Sequence, residues 1–259
     1  MALVANDTIG ANNIIEEEGV IALILQAMHD SSSEVRGNVY TCMQHVSRTT
    51  AGASACVQAG VCDALAAVMA QEDEALQCVL LQCVYNMASL EKGLAEALNH
   101  DVIKLCIQYL TSKNAVLRSE AARTLGLLCF SERGKNTAVE NCAVPALMNL
   151  VSWYKDDMSM LLQASLALMA VTSADEGKRQ MNTITNAVEI VVSLLFVPLK
   201  VINLNGIKII SNIAVHPVLR NQLKKHEDCV GLLKKLSEGE DHFTAKHAKI
   251  ALDGVMWKA

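Results

Sequence analysis

Apolar residues along the chain recur in one pattern with a spacing of about 42 residues, which is longer than a single helix or strand. The clearest mark is a valine followed three or four positions later by an aliphatic residue, as in Val20 and Leu23. A second mark is a glycine, predicted to lie in the loop before a short helix. Two marks with one period indicate an internal repeat. The valines, which are 41, 41, 42, 44 and 42 residues apart, are Val20, Val61, Val102, Val144, Val188 and Val230, and the glycines are Gly52, Gly93, Gly134 and Gly177.

One complete unit lies between residues 138 and 170 and predicts three helices. A short helix ends near Asn141, and a second helix begins at 143–145, where Pro145 in the first turn removes no helical hydrogen bond. A polar turn at 155–157 precedes the third helix. The apolar positions of this third helix, predicted to be buried, are Leu161, Leu162, Ala164, Leu168 and Met169.

The same unit, applied to the whole chain, predicts six repeats and one partial repeat. Residues 1–6 would be the end of a third helix, so the chain is expected to start inside a repeat, with its N-terminal end frayed, paired with a partner or truncated. The predicted repeats cover residues 7–48, 49–89, 90–130, 131–173, 174–215 and 216–257.

A period of 40 to 47 residues with two or three helices is typical of armadillo and HEAT repeats. The short first helix and the proline at the start of the second favour armadillo. The composition agrees, because 52% of the residues are apolar and only 3% are aromatic, which suits close helix packing. No repeat can bury its apolar face alone. We therefore predict an all-α, right-handed armadillo-repeat α-solenoid of six repeats, with residues 1–259 as one elongated domain.

Charge and composition exclude several classes of function. A net charge of −5 gives no electrostatic reason to expect nucleic-acid binding. The N-terminus predicts no secretory signal, and the longest apolar run, at 190–199, is too short to cross a bilayer. None of the nine cysteines forms a C-x-x-C pair, so we interpret them as small buried side chains in a reducing compartment.

The sequence contains no pattern typical of catalysis. His242 and His247 are five residues apart, which places them on different faces of a helix and makes them poor metal partners. No phosphate-binding loop or nucleophile elbow is present. We therefore predict a non-enzymatic protein without a cofactor, a bound metal or a small-molecule substrate.

What remains is a protein-binding surface on the third helices. In peptide-binding armadillo proteins, as the resemblance implies, an asparagine on each third helix clamps the ligand backbone and a tryptophan one turn earlier forms pockets. At the asparagine positions the chain has His45, Asn86, Leu127, Ala170, Asn212 and Gly254, and at the tryptophan positions Thr41, Gln82, Arg123, Leu166, Lys208 and Ile250. Only two asparagines match, and no tryptophan does.

The candidate binding residues have alternative interpretations. Asn86 and Asn212 could contact a ligand or serve as structural polar residues. Arg123 and Lys208 could bridge an acidic segment or be two solvated charges. Trp153, with its neighbour Tyr154, could anchor a partner at an edge or pack under the local turn. The predicted protein-binding residues, in the groove or at its edge, are Thr41, His45, Gln82, Asn86, Arg123, Leu127, Trp153, Tyr154, Leu166, Lys208 and Asn212.

Several segments between about residues 100 and 259 are similar to one family. They are LRSEAARTLGLL from Leu117, SERGKNTAVENCAVPALMNLV from Ser131, SADEGKRQ from Ser173 and the final KIALDGVMWKA. Together they resemble the armadillo-repeat proteins of ciliary radial spokes, of the radial spoke head 14 homologue type.

This resemblance implies a structural subunit of the axoneme, in the cytoskeleton of a motile cilium or flagellum. Its partners would be other radial spoke subunits, with no nucleic acid and no membrane involved, and it would support motility. The alternative is a soluble armadillo adaptor that binds a linear peptide or a helix in its concave groove for transport or signalling.

Overall fold

The computed structural model of the chain describes residues 8–17 and 19–257. This part of the chain forms eighteen α-helices and two short 3-10 helices, with no strand, so the all-α prediction is confirmed. The helix expected at residues 1–6 lies outside the described residues. The chain divides into two compact units, unit 1 ending at Leu128 and unit 2 beginning at Cys129. The prediction that residues 1–259 form one domain stays a prediction.

The helices come in sets of three, and each predicted repeat contains one set. Every first helix has nine residues, and the third helices have fourteen, or fifteen in the last set. Unit 1 contains α1 (Thr8–Glu16), α2 (Val20–Ala27), α3 (Ser33–Val46), α4 (Thr50–Gln58), α5 (Val61–Val68), α6 (Glu74–Met87), α7 (Glu91–Asn99), α8 (Val102–Tyr109) and α9 (Ala115–Leu128). Unit 2 contains α10 (Glu132–Glu140), α11 (Ala143–Trp153), α12 (Met158–Val171), α13 (Asp175–Thr183), α14 (Ala187–Ser193), α15 (Lys200–Ile213), α16 (Pro217–Lys225), α17 (Cys229–Ser237) and α18 (His242–Met256). The 3-10 helices are Met69–Gln71 and Leu194–Phe196.

Polar side chains cap the N-terminal ends of several helices. The side chain of Asp157 accepts a hydrogen bond of 2.9 Å from the backbone N–H of Met160 and so caps α12. Asp73 does the same for α6, at 3.0 Å from the N–H of Leu76. Such caps satisfy backbone donors that have no partner inside the helix. The turn predicted at 155–157 therefore ends in a cap.

The step from the first helix to the second uses a left-handed backbone residue in four repeats. Gly19 and Gly60 have φ values of 81° and 77°, while Cys142 and Asn186 have 57° and 59°. This conformation is strained for residues with a side chain but not for glycine. The valine that follows Gly60, Val61, is fully buried and directs α5 into the core.

The repeated glycines lie inside the first helix of four sets, not in the loop before it, so their predicted position was wrong. Each is the third residue of its helix. A Cβ atom built on Gly93 would clash with the carbonyl oxygen of Met87 and lie 2.8 Å from the carbonyl carbon. The same clash occurs between Gly52 and Val46. At Gly52 and Gly93 the first helix crosses the end of the preceding third helix so closely that only glycine fits.

The third helices pack side by side in each unit. In unit 1, α3 packs on α6 and α6 on α9, and in unit 2, α12 packs on α15 and α15 on α18. Of the five positions predicted to be buried in α12, Leu162 and Met169 are only half-buried, because they lie at the edge of the buried face. This arrangement leaves one face of each set of third helices exposed to solvent.

Eight of the nine cysteines are buried, as predicted, but Cys142 is exposed. Cys142 is the left-handed residue before α11, where the side chain points away from the core. Burial raises the pKa of the thiols of Cys56, Cys62 and Cys129 to about 12, so these thiols are protonated and chemically inert at neutral pH.

No single helix in the described ranges is both long and apolar enough to cross a membrane. Two bent pairs meet the criteria of length and composition alone. They are α4 with the segment Val61–Gln71, bent by 77°, and α12 with α13, bent by 119°.

Candidate functional site

Asn86 and Asn212 make the same hydrogen bonds in the two units. The side-chain amide of Asn86 donates to the carbonyl oxygen of Gln44 at 3.5 Å and to the hydroxyl of Ser47 at 3.1 Å. The amide of Asn212 donates to the carbonyl oxygen of Met169 at 3.1 Å and to the hydroxyl of Thr172 at 3.2 Å. Each asparagine therefore connects its own helix to the preceding third helix.

These bonds serve the ends of helices, whose last carbonyl groups have no partner within the helix. Because both amide protons are used internally, the side-chain oxygens alone are left for a ligand. The sequence did not reveal the partners, although a hydroxyl residue lies 39 or 40 positions before each asparagine. The structure thus favours the structural interpretation of Asn86 and Asn212.

Arg123 is neutralised within unit 1. Its guanidinium donates to a carboxylate oxygen of Glu120 at 3.0 Å and lies 3.7 Å from the centre of the Tyr85 ring. The other oxygen of Glu120 accepts a bond of 3.1 Å from the amide of Gln82. A cation held by a carboxylate and an aromatic ring has little left to offer a partner.

The other unit 1 candidates also have local explanations. The hydroxyl of Thr41 donates to the carbonyl oxygen of Gly37 in its own helix at 2.8 Å. The half-buried ring of His45 has a buried Nδ1 atom with no hydrogen-bond partner among the described residues. Burial, together with the charge of Arg48, lowers the pKa of His45, so the ring is neutral at neutral pH. Leu127 is half-buried.

Unit 2 has a concave pocket of about 430 Å³ between the third helices. Of the predicted residues it contains Lys208 and Asn212, while Leu166 is half-buried and outside its lining. Its walls include Phe130 and Ile250, which are 59% and 48% exposed. Sequence reasoning did not propose the remaining lining residues as sites, and they are Cys129, Phe130, Lys135, Met169, Ala170, Ser173, Ser211, His247 and Ile250.

A second, largely apolar pocket of about 460 Å³ is contiguous with the first, since Ser211 lines both. It lies along α15 and α18 and reaches Trp257, which is 57% exposed. We call the two pockets together the unit 2 groove. Its second part is lined by Ser211, Ala214, Val215, Arg220, Asp253, Gly254 and Trp257.

Lys208 is a groove cation without a carboxylate partner in the described part of the chain. Its ammonium group lies 5.6 Å from the centre of the Phe243 ring. Arg220 is similar, since it stacks 4.7 Å from the centre of the Trp257 ring and donates to the carbonyl oxygen of Ala214 at 3.2 Å. Lys135, by contrast, pairs with Glu132 at 2.8 Å. Cations over aromatic rings keep most of their charge available to other groups.

His247 adds an uncharged ring beside Lys208. Its ring packs edge-on against Phe243, with centroids 4.8 Å apart. Burial lowers the pKa of His247, and the charges of Lys208 and Lys246 lower it further. At neutral pH this part of the groove therefore presents an ammonium group near the Phe243 ring and an uncharged imidazole.

The two predicted edge aromatics behave differently. Trp153 is 68% exposed at the end of α11, so it does not tuck under the turn. Tyr154 is half-buried, and its backbone N–H donates to the carbonyl oxygen of Leu150 at 3.1 Å. Trp153 alone keeps the character of an exposed anchor.

The two units also differ in charge. Residues 1–128 contain seven basic and fourteen acidic residues, a net charge of −7, while residues 129–259 contain fifteen basic and thirteen acidic residues, a net charge of +2. The groove with the unpaired lysine therefore belongs to the more positive unit.

No family model matches the chain. Among solved structures, an engineered protein is similar over the whole chain, with a TM-score of 0.85 and 22% identity, and the chain spans 63% of its length. A designed armadillo repeat protein matches 90% of the chain and 98% of its own length, with a TM-score of 0.79 and 14% identity.

A further designed armadillo repeat protein, solved in complex with the peptide (KR)4, also matches 90% of the chain and 98% of its own length. Its TM-score is 0.75 and its identity 15%. At these identities the likeness concerns the fold. The helix triplets, their period and these neighbours agree, and the chain has the armadillo-repeat α-solenoid fold.

Proposed function

We propose that the chain is a non-catalytic protein-binding scaffold that holds a partner in the unit 2 groove. The observation that carries this proposal is an open concave surface with exposed aromatic and aliphatic side chains around an unpaired ammonium group. Exposed apolar surface of this kind is typical of interaction sites, and buried aromatic anchors contribute most of the binding energy at protein interfaces.

Recognition would depend on side chains more than on a backbone clamp. The amide protons of Asn86 and Asn212 are already bonded within the protein. A designed neighbour carries a peptide of lysine and arginine. A basic peptide needs negative charge in its binding site, whereas the unit 2 groove contains Lys208. We therefore do not expect a basic peptide as the ligand of this chain.

For the cellular setting we propose the radial spoke of motile cilia and flagella, with other spoke subunits as partners. This part of the proposal rests on the sequence resemblance in residues 117–128, 131–151 and 173–180 and at the C-terminus. A scaffold built from repeats suits it, because such a fold presents long surfaces and needs no cofactor.

The test is retention on the axoneme. A tagged copy would be expressed in flagellated cells, and detergent-extracted axonemes would be compared with the soluble fraction. We expect retention at regular intervals that is lost in cells without spokes. A copy found entirely in the soluble fraction would contradict the spoke setting and favour the adaptor alternative.

A variant pair tests the groove in the same assay. Lys208→Met removes the groove cation, whereas Lys249→Met removes an exposed charge of the same kind on α18, outside the groove lining. We expect release of the first variant and retention of the second. Equal retention of both would place the partner on another surface, such as the edge around Trp153.

A further inference from the structure

We infer that the partner segment held by the unit 2 groove is acidic and apolar: a carboxylate that pairs with Lys208, flanked by large apolar side chains. This inference rests on the proposed function and adds the chemical class of the partner. It follows from the charges on the third helices of unit 2, from the shape of the groove and from a comparison with unit 1.

The third helices of unit 2 contain almost no acidic residues. Helix α12 has no charged residue, and α15 has only Lys200 and Lys208. Helix α18 has Lys246 and Lys249 with one acidic residue, Asp253. Of the charged residues that line the groove, three are basic, Lys135, Lys208 and Arg220, and one is acidic, Asp253, so a partner segment there meets more positive than negative charge.

The comparison between Lys208 and Arg123 shows why the charge of Lys208 is available. Both residues occupy the same position in their third helices. Three residues earlier, unit 1 has Glu120, which pairs with Arg123 at 3.0 Å, while unit 2 has Asn205. Asn205 is buried and donates to the hydroxyl of Ser165 at 3.0 Å, so it gives Lys208 no charge.

A carboxylate of the partner is the group that would pair with the ammonium group of Lys208. Lys208 already contacts an aromatic ring, and His247 beside it is neutral, so neither neighbour supplies negative charge. The site is concave and partly shielded from water, which strengthens a new ion pair relative to one on an open surface. A second ammonium or guanidinium group at the same place would be repelled.

The apolar part of the inference follows from what lies on either side of Lys208. On one side the pocket is walled by Phe130 and Met169, and on the other the groove continues to Val215 and Trp257. Val215 is 63% exposed although it lines a concave surface. Large apolar side chains of a partner would bury this surface and gain the corresponding hydrophobic free energy.

The test uses three fluorescein-labelled peptides and the whole chain. The first peptide combines glutamate with leucine and phenylalanine, the second has lysine in place of glutamate, and the third has alanine in place of leucine and phenylalanine. Fluorescence anisotropy measures their affinities at low and high salt. We expect the first peptide to bind, with weaker binding as salt rises, and the other two to bind at least about tenfold more weakly.

Two variants test whether the peptide binds in the unit 2 groove. Lys208→Met keeps most of the apolar part of the side chain. We expect it to lower the affinity for the first peptide about tenfold, because one charge-assisted contact is lost. Lys249→Met is the matched control and is expected to bind like the unmodified chain. Thermal melting of both variants establishes that each is folded.

The inference is overturned if the lysine peptide binds as well as the glutamate peptide, if no peptide binds, or if Lys208→Met binds like Lys249→Met. These outcomes remain separate from the fate of the proposed function. If Lys208→Met is released from axonemes while the acidic peptide fails to bind, the groove still holds a partner, but the chemical class inferred here is wrong.

Discussion

Replacing Gly93 by alanine tests the closest backbone approach in unit 1. Gly93 is the third residue of α7 and lies against the last turn of α6. An added Cβ would clash with the carbonyl oxygen of Met87, lie 2.8 Å from its carbonyl carbon and 3.0 Å from a methyl group of Val57. Two of these three contacts are with backbone atoms, which cannot rotate away.

The expected loss of stability in Gly93→Ala follows from these distances. Carbon atoms pack best at about 3.5–4.0 Å, so α7 would have to move away from α6 by roughly 1 Å. Overpacking of this kind costs about 1–3 kcal/mol, and the backbone contact places Gly93→Ala near the upper end. Alanine is a better helix former than glycine by about 1 kcal/mol, which offsets part of that cost. We expect a net loss of about 2 kcal/mol.

Gly231 is the matched control. It is also the third residue of a helix, α17, but it is exposed, and a Cβ there would have no neighbour within 4 Å. Gly231→Ala should therefore stabilise the protein by about 0.5–1 kcal/mol through helix propensity alone.

The assay is thermal and urea unfolding followed by circular dichroism. With about 2–4 °C per kcal/mol for a chain of this size, Gly93→Ala should lower the Tm by about 4–8 °C, and Gly231→Ala should raise it by about 1–4 °C. If both substitutions raise the Tm, the close approach does not determine the choice of glycine, and our explanation of the recurring glycines is refuted.

Four further substitutions have defined outcomes. Cys142→Gly should raise the free energy of unfolding by about 1 kcal/mol, because it relieves a left-handed non-glycine residue, and Gly60→Ala should lower it by about as much, both measured by urea unfolding. The carboxylate of Glu72 accepts bonds from Arg36 and Tyr40, and the bond from Arg36 is the main cause that lowers its pKa. Its stabilising effect is thus present above the ordinary glutamate pKa of about 4.3 and lost as the pH falls through the lower folded value, so Glu72→Gln should show a smaller loss of stability in acid than the unmodified chain. Asn86→Leu should cost about 1–2 kcal/mol in stability, measured by urea unfolding, because its bonds to Gln44 and Ser47 are lost, and an unchanged free energy of unfolding would contradict the structural interpretation of this asparagine.

The helix triplets could be predicted from the sequence because their signals are local. The valine that is the first or second residue of each second helix and the polar turns before most third helices both act within a few residues. For example, Asp157 caps α12 through a bond to an N–H three residues ahead. The repeat period and the apolar pattern therefore predicted the fold class and the order of the helices without knowledge of tertiary contacts.

The glycines and the site residues could not be placed so well, because their roles depend on neighbours far away in the sequence. Gly93 is required by the carbonyl group of Met87, and nothing around Gly93 itself shows this. Asn86 was recognised at a ligand position, yet its partner Ser47 lies 39 residues earlier. Phe130 was not proposed as a site, since its exposure depends on the packing of unit 2. The pairing of Arg123 with Glu120, three residues apart on one helix, is the exception that the sequence already contained.

The contrast between Arg123 and Lys208 explains how one repeat can serve structure and another can serve binding with the same backbone. A cation at this position of the third helix is satisfied when an acid lies one turn earlier, as Glu120 does, and it then stabilises its own helix. When the earlier position is Asn205, whose amide is engaged in the core, the cation faces the groove without an internal partner. The residue at this earlier position, which lies outside the groove lining, therefore decides whether the charge of the cation is available to a ligand.

By this argument Asn205→Glu should place a carboxylate beside Lys208. It should lower the affinity for the acidic peptide by about as much as Lys208→Met does and leave the groove walls intact. Its cost in stability, from the lost bond to Ser165, would be visible in the Tm and separable from the change in affinity.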